Sequence, residues 1–257
     1  MTIDLKCGDT IEQMKLIPNE SVDMVLCDLP YGTTNNKWDS LIDLNVMWEE
    51  LWRVCKSNSA IVLFSAQPFT TQLISSQIKY YKYEYVWVKN LKTGNLNARK
   101  MPMGGHETIQ VFYKKPPTYN PQKRKRTTEI PSGNKFNSKT TNYGKQKEEY
   151  LDRQSDLISP DTVLNFKCVH NSSGKVHPTQ KPVEICSFLI NTYTNKGEVV
   201  LDMTMGSGTT AISCIEEDRD FIGIELDENY FNIAKKRVED IKKEKDLQSV
   251  DLFGEKF

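Results

Sequence analysis

Apolar residues in this chain fall into two alternating patterns: short, mainly apolar runs, and stretches that carry one apolar face. The runs Val22–Cys27, Ala60–Phe64, Glu198–Leu201 and Phe221–Ile224 predict strands covered on both sides. Tyr83–Val88, with alternating aromatics, and Thr108–Tyr113 predict two more. Between Asp43 and Cys55, Leu44, Met47, Trp48, Leu51, Trp52 and Cys55 recur at helical spacing. Further helices are expected from Pro68, which suits a first turn, over Val183–Thr192 and Thr209–Glu217, and from Asn229 to about Lys243. Strands that alternate with helices predict an α/β fold: a mostly parallel sheet with helices on both faces.

The alternation breaks between about residues 115 and 165. This stretch holds Pro116, Pro117, Pro121 and Pro131, many Lys, Ser, Thr and Asn, and few aliphatics, and reads as irregular structure. Three parts follow: 1–114, 115–165 and 166–257. The 257-residue chain is formally neutral, yet Lys114 to Lys147 contains ten basic residues and one acid, Glu129. A charge run of this kind is either a solvated face or a contact for a polyanion. Its densest part is Lys123-Arg124-Lys125-Arg126.

Composition bounds the setting. The six cysteines show no Cys-x-x-Cys spacing and read as reduced thiols of a cytoplasmic protein. The first residues lack the basic start and apolar core of a signal peptide, and no run approaches a membrane span. His106, His170 and His177 have no recurrent metal spacing, so no metal is expected.

Two motifs carry chemistry. The first strand ends in Asp28-Leu29-Pro30-Tyr31-Gly32. Ligands of parallel sheets collect at the carboxyl ends of strands, so a carboxylate and an aromatic ring arrive there together. Far downstream, a strand ends at Asp202, and Met203-Thr204-Met205-Gly206-Ser207-Gly208-Thr209-Thr210 turns into a helix. The glycines allow close approach to the backbone, and a helix N-terminus favours a negative group. The pattern is not Gly-x-Gly-x-x-Gly and has no P-loop lysine, which counts against a phosphate. Glu225 ends the next strand and suits the two hydroxyls of an unphosphorylated ribose. Taken alone, the glycine motif also fits an ordinary strand–helix turn.

Asp28-Leu29-Pro30-Tyr31 resembles the Asp-Pro-Pro-Tyr motif of amino-group DNA methyltransferases, and the segment from Leu201 to Thr210 resembles that family's S-adenosylmethionine loop. His177-Pro178-Thr179-Gln180-Lys181-Pro182 resembles its His-Pro-x-Gln-Lys-Pro element, and Tyr85–Asn90 and Gly105–Phe112 resemble later motifs. The catalytic motif precedes the cofactor motif, the order of the circularly permuted beta group. The resemblance implies a Rossmann-like fold and S-adenosylmethionine as cofactor. It places Asp202, Met203, Gly206, Ser207, Gly208, Thr209, Glu225, His177, Thr179, Gln180 and Lys181 at that cofactor. Asp28 and the carbonyl of Leu29 would accept hydrogen bonds from an exocyclic amine, Pro30 would shape the turn, and Tyr31 would stack on the base. Leucine at 29 replaces the usual proline; the carbonyl survives and the ring's rigidity is lost.

The resemblance further implies double-stranded DNA as partner, with the target base flipped out. It makes the basic segment, with Lys123, Arg124, Lys125 and Arg126, the part that reads DNA. Adenine N6 is the favoured target, because Asp rather than Ser opens the motif. Cytosine N4, a structured RNA, a non-catalytic DNA-binding protein and a nicotinamide dehydrogenase are the competing readings. A homodimer is a further partner to weigh. So is a sliding clamp, through Gln248-Ser249-Val250-Asp251-Leu252-Phe253, unless that tail docks on its own sheet.

Overall fold

The computed structural model describes residues 1–32, 42–125, 156–169 and 180–254, with side chains as far as Leu247. The chain forms two compact units, Met1–Asn120 with Thr162–Phe257, and Pro121–Asp161.

The larger unit is built on one sheet. Its strands are β1 (Ile3–Cys7), β2 (Val22–Asp28), β3 (Cys55–Ser65), β4 (Tyr81–Thr93) and β5 (Gly104–Phe112) in the first half of the chain. The smaller unit contributes β6 (Arg124–Lys125) and β7 (Leu157–Ile158), paired only with each other. The large sheet resumes with β8 (Val163–Asn165), β9 (Val199–Asp202) and β10 (Asp220–Glu225). Its order is β1-β10-β9-β2-β3-β5-β4-β8. Among these strands β5 alone runs against the rest. The helices are α1 (Thr10–Met14), α2 (Leu44–Val54), α3 (Phe69–Ser76), α4 (Val183–Tyr193), α5 (Thr209–Glu216) and α6 (Glu228–Gly254).

Period-two burial explains the layers. In β2, Met24 and Leu26 face a core completed by Ile185, Leu189, Ala211, Ile215 and Ala234 from α4, α5 and α6. Val25 and Cys27 face a second core with Met14, Met47, Trp48, Leu51 and Leu73 from α1, α2 and α3. A strand with helices on both sides has no polar face to show, which is why Met24–Cys27 is unbroken. Local signals set the boundaries. Asp43 caps α2, its carboxylate accepting from Asn45 N at 2.8 Å. The strand at Ala60–Phe64 starts earlier than its apolar run, at Cys55, directly after α2.

Several elements escaped the pattern. β1 and α1 are short and weakly patterned. β8 lies inside the stretch expected to be irregular, and it pairs with β4 through three residues at the edge of the sheet. Residues 115–120 also belong to the larger unit, where the Asn120 amide donates to the carbonyls of Asn191 and Thr194 at 3.2 and 3.1 Å. The last helix runs to Gly254 rather than ending near Lys243, because residues 242–253 contain neither Gly nor Pro to stop it. The side chains of 248–253, the proposed clamp peptide, lie outside the described residues. Among the described residues no helix is long and apolar enough to cross a membrane.

Candidate active site

Two sequence-distant motifs meet where the sheet changes direction. From β9 the chain moves outward to β10, and from β2 it moves to β3 on the other side. β2 and β9 are neighbours, with Met24 opposite Val200 and Val25 opposite Leu201. Such a switch point opens a crevice beyond the carboxyl ends of the strands. Asp28 and Asp202 end those two strands. The turns after them are tied together: Thr204 Oγ1 donates to the Asp28 carbonyl at 3.1 Å, and Met203 N lies 3.1 Å from Cys27 Sγ.

Asp28 is held at both oxygens. Tyr31 Oη donates to Oδ1 at 2.8 Å, and Lys181 Nζ reaches Oδ2 at 2.7 Å. The Tyr31 ring stacks on Phe69 with centroids 5.5 Å apart. The Leu29 side chain is buried in the core beneath α1 and α2, so packing anchors the turn where the family's usual ring is missing. Pro30 is half-buried.

Lys181 is buried and bridges two acids. Its ammonium sits 3.1 Å from Glu107 Oε2 as well as on Asp28, above the ring of Phe64 at 5.0 Å. Glu107 is also paired with Lys89, at 2.9 Å. Burial opposes the charge on Lys181, but Asp28 and Glu107 outweigh it and hold the lysine above its ordinary value. Burial likewise opposes ionisation of Glu107, yet the two lysines keep its carboxyl below the usual range. The site therefore carries a chain of alternating charge, Lys89–Glu107–Lys181–Asp28.

The glycine turn is packed and braced. Gly206 and Gly208 have φ of 53° and 80°, in the left-handed region that suits glycine. A Cβ on Gly208 would lie 3.0 Å from the Cβ of Ala234 on α6. Arg237, one turn further along α6, donates to the Ser207 carbonyl at 2.5 Å. Thr209 opens α5, and Met203 is fully buried. Asp202 accepts from Thr210 Oγ1 at 2.6 Å and Thr204 N at 3.1 Å, and burial pushes its carboxyl up to about 7. Glu225 is raised by burial too, and its two oxygens accept from Gly206 N and Asp227 N, each at 2.8 Å. Glu225 thus shapes the turn, a role that its position at a strand end does not reveal. Leu226 beside it is 59 % exposed.

Three strand-end acids around a tight turn, with no cation among the turn's own residues, offer a phosphate no partner. They suit a cationic ligand with hydroxyls, and in this respect the donor set fits a sulfonium nucleoside. Gln180 is half-buried beside Lys181. His177 and Thr179 lie outside the described residues, as does Arg126. In the smaller unit, Lys123, Arg124 and Lys125 are exposed, and Arg124 is ion-paired with Asp161.

The sequence model of the DNA methylase family matches residues 22–236, which spans both motifs and the strands that carry them. This chain belongs to the DNA methylase family.

Curated relatives agree along nearly the whole length. The methylase is 27 % identical to the type II methyltransferase M.HpaI of Haemophilus parainfluenzae, over 91 % of this chain and 74 % of that one. It is 28 % identical to the DNA adenine methyltransferase YhdJ of Escherichia coli (strain K12), over 90 % of this chain and 81 % of the relative. Its fold is that of the M1.HpyAVI–SAM complex, with a TM-score of 0.63 and 23 % identity over 92 % of this chain and all of the other. PvuII DNA methyltransferase, described as cytosine-N4-specific, superposes with a TM-score of 0.64 at 14 % identity, over 94 % of this chain and 91 % of the other. The methylase fold is thus Rossmann-like and mostly parallel, in permuted order.

Glu107 and Lys89 were missing from the expected site residues. Their signal in the sequence is faint, because β4 and β5 carry several other polar residues, among them Lys82, Glu84, Lys92 and Gln110.

Proposed function

We propose that this methylase transfers a methyl group from S-adenosylmethionine to the N6 amine of an adenine flipped out of double-stranded DNA. The observation that carries the reading is the seating of Asp28. An anionic carboxylate, fixed by Lys181 and Tyr31, lies against the turn of the glycine motif.

An exocyclic amine is a poor nucleophile, because its lone pair is delocalised into the ring. Hydrogen bonds from its two hydrogens to Asp28 and the Leu29 carbonyl draw the nitrogen toward a tetrahedral form. Lys181 and Glu107 act as positioning residues: the buried ion pairs fix the Asp28 carboxylate in one orientation before substrate arrives. The Tyr31 ring, backed by Phe69, is the surface on which the base stacks. S-adenosylmethionine would supply a methyl group on a sulfonium centre that leaves neutral, and the methylated nitrogen would give up its extra proton to water. Asp202, the Gly206–Thr209 turn and Glu225 would hold it, with Gln180 nearby and Leu226 offering an apolar face to its base.

Asp at the head of the motif supports adenine, as does likeness over most of the chain to a relative named as an adenine methyltransferase. The test is incubation with labelled S-adenosylmethionine and mixed-sequence duplex DNA, followed by mass analysis of the nucleosides. N6-methyladenine is expected. N4-methylcytosine would overturn the base assignment, and unmodified nucleosides would overturn the enzymatic reading.

A further inference from the structure

β4 and β5 continue past the sheet as a two-stranded arm. Val88 pairs with His106 and, after an irregularity, Thr93 pairs with Gly104. A short 3-10 turn, Asn95–Asn97, closes the tip behind Gly94. Every residue from Asn90 to Pro102 is exposed.

The chemistry of this arm is one-sided. No acid occurs between Glu84 and Glu107, whereas Lys89, Lys92, Arg99 and Lys100 do. Lys89 is committed to Glu107 at the root. Lys92, Arg99 and Lys100 have no acidic partner among the described residues. Near the tip apolar side chains stand in solvent: Leu96, between Asn95 and Asn97, is 100 % exposed and Met101 59 %. A basic stem under a bare leucine is poorly suited to water and well suited to a polyanion with an apolar interior.

The position of the arm selects the partner. β4 runs parallel to β2, so the arm leaves the sheet at the edge that holds Asp28. Its root residue Glu107 is one ion pair from Lys181, which holds Asp28. At a rise of about 3.3 Å per residue, the tip reaches up to roughly 20 Å beyond Lys89, the scale of a duplex. A flipped base leaves a gap in the stack, and apolar side chains serve as wedges in unstacked steps.

We infer that the β4–β5 arm is a DNA-contacting element: Lys92, Arg99 and Lys100 bind phosphates, and Leu96 enters the duplex beside the displaced base. The inference rests on the proposed duplex substrate.

Binding of the full chain to a fluorescent duplex is measured over a series of salt concentrations, for the wild type and for Lys92→Ser/Arg99→Ser/Lys100→Ser. The plot of log affinity against log salt becomes shallower by up to about 2.7, at about 0.9 for each of three phosphate contacts. Identical slopes overturn the arm's role. Leu96→Ala, a change at a wholly exposed residue, lowers methyl transfer to duplex by about tenfold and leaves transfer to the same strand unpaired within about twofold, because only the duplex must be opened. Equal losses on both substrates overturn the wedge. Unchanged binding slopes, together with a dimer that Leu96→Ala dissociates in sedimentation, would assign the arm to a second copy of this chain. The binding slopes need no catalysis, so an inactive wild type with a changed slope would sink the functional reading and leave the arm standing.

Discussion

Asp28 is useful only because of its neighbours. A carboxylate at a strand end is common; this one is fixed by a buried lysine and a tyrosine hydroxyl, with a glycine turn against its carbonyl, as the proposed transfer to an amine requires. Asp28→Ala is expected to abolish methyl transfer while calorimetric titration with the demethylated cofactor product still shows binding. Lys181→Met leaves Asp28 and Glu107 without their shared cation. Unfolding by denaturant should then show a loss of about 3 kcal/mol, the lower end for breaking a buried pair, since both acids retain some solvent contact. The pH dependence separates this role from bulk packing. Glu107 is depressed below its unfolded value, so its ion pairs stabilise the fold above about pH 4.5, and that contribution fades as pH falls through the lower folded value. In Lys181→Met the folded value moves up toward the unfolded one, so that fade should shrink. A variant whose acid limb matches the wild type would show that Lys181 does not hold Glu107.

Asp202 has the opposite sign. Burial raises its carboxyl to about 7, so the folded state keeps a proton that the unfolded chain gives up near pH 4. Stability therefore falls as pH rises from about 4 to about 7. Asp202→Asn should flatten that fall, read from denaturant midpoints across the range. An unchanged pH slope would mean that the pairings with Thr210 and Thr204 already offset the burial.

At the scale of elements, the glycine turn proposed to hold the cofactor depends on a helix further along the chain. Ala234 and Arg237 of α6 support the turn from beneath, one by leaving room and the other by bonding Ser207. Gly208→Ala combines a left-handed φ with a contact at 3.0 Å to Ala234. It should cost about 1–3 kcal/mol and weaken cofactor binding along with the melting temperature. Glu225→Ala removes the acceptors for Gly206 N and Asp227 N, so cofactor affinity and thermal stability should drop together. A lost affinity with an unchanged melting temperature would instead support direct contact between Glu225 and the ribose.

At the scale of the whole chain, the smaller unit, Pro121–Asp161, is assigned by charge alone. Neutralising Lys123, Arg124, Lys125 and Arg126 together should flatten the salt dependence of duplex binding by up to about 0.9 log unit per lost phosphate contact, with cofactor affinity unmoved. Arg124 is already paired with the exposed Asp161, so its share should be the smallest of the three described positions. Equal slopes would make the run a solvated face.

The alternation of buried runs and one-faced helices, and the residues at two strand ends, were legible in the sequence because both rest on local periodicity and short motifs. Asp28, Tyr31, Asp202 and Glu225 could be named from it. Tertiary structure alone decided what those residues touch. The pairing of β2 with β9 joins motifs more than 170 positions apart in the chain. Lys181, read beside the cofactor from its motif, lies on Asp28 because α4 begins just after it and packs against β2, which carries that acid. Glu107 and Lys89 enter because β4 and β5 pair in a register that places Trp87 opposite Glu107, so that the ammonium two residues beyond Trp87 reaches the carboxylate. An ion pair between residues on different elements leaves no periodic trace; each charge is one of several polar residues in its strand, and only the fold shows which of them meet.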